Sequence, residues 1–142
     1  RAGRTIRAIF EEEGESGFRK REAAVVLEAA RLDKAVIATG GGAILDPVNV
    51  QALKARGFVV HLSASPTELW RRISAVPVTG SQRPPLRQGT RGGVEELTAL
   101  HAARAAAYRA ARDAEVLVHS RTPEQVVDAV LVLLRARGVP AS

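Results

Sequence analysis

Thr39-Gly40-Gly41-Gly42 follows directly on the apolar run Ala35-Val36-Ile37-Ala38. A strand that ends in three glycines presents bare backbone where α/β folds bind ligands, at the carboxyl ends of the strands. Without side chains, the N–H groups of Gly40, Gly41 and Gly42 can approach a phosphate or a sugar-like ring closely. The same triplet also suits a plain strand-to-helix turn, and the two readings are even on the glycines alone. Arg19 and Glu22 stand three residues apart and share a helix face. By spacing alone this is an ordinary solvated ion pair of small energetic weight, and Arg104 with Tyr108, one helical turn apart, earns no more. Arg83-Pro84-Pro85-Leu86 sets an arginine between residues that stiffen the backbone. It suits a group that swings over a nucleotide phosphate, but by itself it reads more readily as a proline-bearing surface loop. None of His61, His101 and His119 has a partner at metal-ligand spacing, and no Ser–His–Asp arrangement suggests itself, so no residue is assigned to a metal.

The elements that would position these groups alternate between helix and strand. A short helix is expected over Thr5–Glu13, ended by Gly14 in a left-handed cap. A second is expected from Gly17 to about Leu32, with Phe18, Val25, Ala29 and Leu32 on its apolar face. Ala35–Thr39 reads as a buried parallel strand. Asp46-Pro47 starts a helix, with an N-cap carboxylate and proline in the first turn, and Gly57 stops it. Phe58–Leu62 is the next strand, and Ser65-Pro66 starts a helix that runs to about Ser74. Residues 75–93 have no period and read as a lid or a disordered loop. A helix from Val94 to about Arg112, a strand over Glu115–His119 and a helix from Thr122-Pro123 to about Arg137 complete the chain. Strand and helix alternating with short joints imply an α/β fold, with a parallel sheet covered by helices on both faces. Only three strands are visible, few for such a sheet.

The chain has 142 residues, enough for one domain, and 46% of them are apolar. No apolar run approaches the ~20 residues that a membrane-spanning helix needs. The net charge of +6 comes from 21 basic residues interspersed with 15 acidic ones, and aromatics make up 4%. Dispersed arginine with few stacking platforms argues against nucleic acid and for small anionic ligands. Cysteine is absent, which suits a reducing cytoplasm. Methionine is absent too, and Arg1 is read as an internal position of a longer protein.

Taken in order, the motifs resemble those of shikimate kinases over essentially the whole chain. Ile6-x-x-Ile9-Phe10-x-x-x-Gly14-Glu15-x-x-Phe18-Arg19-x-x-Glu22 is similar to that family's substrate-binding helical region, and Thr39-Gly40-Gly41-Gly42 to its glycine triplet. Thr79-Gly80-x-x-Arg83-Pro84-x-Leu86 looks like its lid and Arg104-x-x-x-Tyr108 like its second carboxylate-binding arginine. The resemblance implies a single, incomplete P-loop-kinase-like domain over 1–142, N-terminal strand missing, with a lid over about 75–93. It implies ATP-dependent phosphorylation of shikimate to shikimate 3-phosphate in a cytoplasmic enzyme that is a monomer when complete. Arg19 and Arg104 would grip the substrate carboxylate through paired charge-assisted hydrogen bonds. Gly40, Gly41 and Gly42 would meet its hydroxyls and the transferred phosphate, Arg83 would act catalytically on the ATP phosphates, and Arg121 would lie near the adenine. The family's G-x-x-G-x-G-K-[ST] motif has no match in these 142 residues. The main elements for ATP and Mg²⁺ are therefore expected upstream of Arg1, and the chain alone is expected to be inactive. A kinase of another small acid, gluconate kinase-like, and a non-catalytic degenerate kinase domain that binds a ligand or partner are the alternatives.

Overall fold

The computed structural model describes residues 3–75 and 93–139. Among the described residues five α-helices and two strands follow one another: α1 (Ile6–Ala29), α2 (Pro47–Arg56), β1 (Val60–Ser63), α3 (Pro66–Ala75), α4 (Val94–Ala111), β2 (Ala114–Leu117) and α5 (Pro123–Ala136), with a 3-10 turn over Ala43–Leu45 before α2. The expected α/β organisation with a parallel sheet holds, and helix dominates it.

Local chemistry accounts for most of the ends. Thr5 caps α1 by accepting a hydrogen bond from the Ala8 N–H, and Asp46 caps α2 by accepting one from the Val48 N–H. Thr122 and Gln125 form a reciprocal capping box at the start of α5, which satisfies two backbone donors that a helix end otherwise leaves unpaired. Lys54 and Arg56 occupy the last turn of α2, where the helix dipole favours cations.

The first helix departs from expectation. Gly14 has the positive φ of 67° that its position suggests, but its ψ of −174° is extended rather than left-handed helical. The chain therefore kinks instead of stopping, and a second helical half begins at once. The Phe10 and Phe18 rings meet across the kink with centroids 4.7 Å apart. Arg21 reaches back to Glu13 with two 2.8 Å hydrogen bonds. The buried residues of α1 are Ile9 and Val26, while Val25 and Leu32 are exposed. The apolar face expected of the second half is thus rotated, because α1 packs on α2 and the 3-10 turn, and nothing among the described residues covers the Val25 side.

The sheet consists of β1 and β2, parallel, with Val60 opposite Ala114 and Ser63 opposite Leu117. Asp113 fixes its entry: one carboxylate oxygen accepts from the Val59 N–H at 2.8 Å and the other pairs with Lys54 at 2.8 Å. The third expected strand is corrected. Residues 35–39 form no ladder, and Val36 is fully exposed at 102%. A strand exists only by pairing with a neighbour, and no described strand lies alongside this run.

At the far end of the sheet, Glu68 of α3 is buried and accepts hydrogen bonds from Arg71 at 2.8 Å and Arg72 at 2.7 Å. Arg72 also donates to the Val118 carbonyl at 2.8 Å, tying α3 to the end of β2. The hydrogen bonds from these two arginines, Arg71 first, hold the Glu68 carboxyl well below its usual range, at about 2.

Candidate functional site

Arg19 projects from the second half of α1 towards the glycine turn. Its Nη1 donates to Glu22 at 2.6 Å and its Nη2 to Glu15 at 3.4 Å. The guanidinium carbon stands 5.3 Å from the centroid of the adjacent Phe18 ring. Partial burial is the largest single influence on this cation and works against its charge. The hydrogen bonds and charges of Glu22 and Glu15 together outweigh burial, so Arg19 is held more firmly protonated than a free arginine.

The three glycines meet this group at different distances. A Cβ on Gly42 would stand 2.5 Å from Arg19 Nη1 and 2.7 Å from Nη2. Only glycine lets the guanidinium lie so close to the backbone. A Cβ on Gly41 would stand 2.9 Å from the Tyr108 hydroxyl, which donates to the Gly41 carbonyl at 3.1 Å. Gly40 is the least crowded, with Glu22 Oε1 at an ordinary contact distance of 3.7 Å. Beside these groups lies a cleft of about 300 Å³ lined by Arg19, Glu22, Gly42, Leu45, Asp46 and Asn49, at the small end of the range for small-molecule sites.

The structure therefore brings together Arg19 and Gly42 in one cleft, with Gly40 and Gly41 in the adjoining turn. Arg104 lies one turn before Tyr108 on α4, half-buried, but it does not line the cleft and has no ion pair among the described residues. Arg121 is exposed in the turn between β2 and α5, away from the cleft. Arg83 and almost all of the 75–93 segment lie outside the described residues.

Two contributors went unread in the sequence. Asn49, in the first turn of α2, is 1% exposed; its Nδ2 donates to the Ala43 carbonyl at 2.9 Å, and its Oδ1 has no partner among the described residues. A buried acceptor without a donor costs roughly 1–3 kcal/mol. An asparagine inside a helix, where it is a poor helix former, was the available signal. Tyr108 was noted only through its spacing from Arg104. Its ring stacks on His61, with centroids 4.8 Å apart and planes 11° from parallel. Burial, ahead of the opposing charge of Glu115, lowers the His61 pKa and so favours the neutral imidazole.

Arg19 and the glycine turn, which the motif resemblance assigns separately to the substrate, lie against each other, and comparison with known proteins gives the family. The shikimate kinase family model matches residues 1–135. The chain belongs to the shikimate kinase family. A shikimate kinase from Symbiobacterium thermophilum is 43% identical over 137 residues, which is 96% of this chain and 76% of that protein. One from Chromohalobacter salexigens is 44% identical over 131 residues, 92% of this chain and 69% of that protein. Among solved structures, a shikimate kinase from Acinetobacter baumannii in complex with shikimate matches with a TM-score of 0.77 at 31% identity, covering 99% of this chain and 74% of that one. The resemblance read from the motifs is thereby borne out, together with the P-loop kinase fold of these neighbours. Kinases of this family use ATP and Mg²⁺. Among the described residues, however, no three His, Cys, Asp or Glu side chains group in a way that could hold a metal ion. The described residues thus do not themselves fit Mg²⁺. No helix among the described residues is long and apolar enough to cross a membrane.

Proposed function

We propose that the chain supplies the shikimate-binding part of a shikimate kinase, with the cleft between α1 and the glycine turn as the substrate site. The reaction is transfer of the ATP γ-phosphate to a substrate hydroxyl: the hydroxyl oxygen forms the new P–O bond, the bond to ADP breaks, and the hydroxyl proton is released. The products are shikimate 3-phosphate and ADP. The observation that carries the assignment of the site is the guanidinium of Arg19 lying against Gly42 inside the cleft.

The roles follow from donor geometry. Arg19 is a permanent planar cation whose fork matches a carboxylate, and charge-assisted bonds of this kind are the strong ones. Glu22 holds one arm of the fork and aims it, whereas the longer contact with exposed Glu15 is the one that an incoming carboxylate displaces. The Gly41 and Gly42 N–H groups face ring hydroxyls, with Gly40 shaping the turn. For Arg104 as the second arginine on the carboxylate, Arg83 as the lid cation and Arg121 beside the adenine, the support is motif order alone. The whole chain is taken as one domain, monomeric and cytoplasmic in the complete enzyme.

Separate titrations of shikimate and ATP into the chain test this reading. Shikimate binds, and Arg19→Lys, which keeps charge but loses the fork, binds about tenfold more weakly, a change of about 1.4 kcal/mol. If the Lys variant binds as tightly as the parent, or if the chain prefers gluconate, the site is wrongly assigned.

A further inference from the structure

The backbone on either side of Gly42 is tied down by two side chains from different helices. On one side the Tyr108 hydroxyl of α4 donates to the Gly41 carbonyl at 3.1 Å. On the other, Asn49 Nδ2 of α2 donates to the Ala43 carbonyl at 2.9 Å. The turn between them has two internal backbone bonds, Ala43 N–H to the Gly40 carbonyl at 3.0 Å and Leu45 N–H to the Gly42 carbonyl at 3.1 Å. Both anchors are rigid for identifiable reasons. Asn49 is almost fully buried, and Tyr108 is held flat against His61.

We infer that Asn49 and Tyr108 are positioning residues for phosphoryl transfer, a two-sided clamp that holds the Gly41–Ala43 backbone so that the Gly41 and Gly42 N–H groups and Arg19 present one fixed geometry to the substrate. A glycine run has the most backbone freedom of any sequence, so a turn built from three of them binds weakly unless something outside it removes that freedom. Preorganisation of this kind raises affinity by reducing what must be ordered on binding. Asn49 Oδ1 has no partner among the described residues, so the Nδ2 contact to the Ala43 carbonyl is the hydrogen bond that its buried side chain makes there. The inference rests on the substrate reading above for its functional half only; the clamp itself is a property of the unliganded chain.

The test uses Asn49→Ala, Tyr108→Phe and the double variant, with two readouts. Amide hydrogen exchange of the unliganded chain reports the clamp: the Ala43 N–H is expected to exchange about tenfold faster in each single variant, while amides in the middle of α5 stay within about twofold. Shikimate titration reports the function: each single variant is expected to weaken binding about fivefold, and the double variant little further, because freeing either side already frees the turn. Melting temperatures of the three variants separate this from lost stability, which should accumulate in the double variant. Tyr108→Phe keeps the stack on His61, so it stays informative if Asn49→Ala folds poorly. Unchanged Ala43 exchange, or faster exchange with unaltered shikimate affinity, overturns the proposal. If the parent chain does not bind shikimate, the substrate reading fails, and the exchange measurement alone decides the clamp.

Discussion

The guanidinium of Arg19 lies against Gly42, so closely that a Cβ there would stand 2.5 Å from Nη1. The contact joins the kinked first helix to the glycine turn, and each partner restricts the other. Gly42→Ala cannot be absorbed by a small shift of a flexible chain end, because Glu22 holds the same nitrogen at 2.6 Å. The substitution is expected to expel Arg19 from the cleft and weaken shikimate binding at least about tenfold. Calorimetric titration checks this. A variant that binds like the parent would show that the Arg19–Gly42 contact is not part of the site.

Gly14 carries the kink that aims Arg19. With φ 67° and ψ −174° it occupies a region that is essentially closed to residues with a Cβ, although open space surrounds it. Gly14→Ala is therefore strained by backbone alone, and a loss of about 1–3 kcal/mol in stability is expected. Urea unfolding measures it. Because the Phe10–Phe18 contact spans the kink, shikimate affinity should fall in the same variant, even at temperatures where it remains folded.

Glu68 makes stability depend on acid. Its carboxyl is depressed from the usual 4.5 to about 2 by Arg71 and Arg72. A group whose pKa is lower in the folded state contributes stability that is present above the unfolded value and lost as pH falls through the folded one. The contribution is thus complete above about pH 5 and fades towards pH 2. Urea midpoints of the parent and Glu68→Gln, compared from pH 6 to pH 2, should differ most at the upper end and converge at the lower. A gap independent of pH would assign the effect of the substitution to packing instead.

Val36 separates the apolar pattern from the packing. If the run 35–39 were a buried strand, Val36→Thr would cost more than a kilocalorie by placing a hydroxyl in the core. With Val36 fully exposed, the change in unfolding free energy is expected to stay within about 0.5 kcal/mol.

The legible parts of this protein were those decided within a few residues. Asp46-Pro47 and Thr122-Pro123 announce helix starts because a short side chain caps the N–H groups just ahead of it, and both occur where the sequence puts them. The glycine triplet, the Arg19–Glu22 spacing and their order along the chain identify the family, since these are patterns of residue type that need no third dimension. Ala35–Thr39 shows the limit. Its composition suits a strand, but a strand is a relation to a neighbour, and no composition supplies one.

The sequence by itself determined the ends of α2 to α5, the positive φ at Gly14, the two described strands to within about two residues and the kinship to shikimate kinases. Only the tertiary structure decided that Gly14 kinks a helix rather than ending it, and that Arg19 lies on Gly42 in one cleft. It also decided that Arg104 does not line that cleft, and that Asn49 and Tyr108 pin the turn from two helices. The physical reason is distance along the chain. Tyr108 and Gly41 are 67 residues apart, and a contact of that span is set by how whole helices pack, which the residue types at its two ends do not encode.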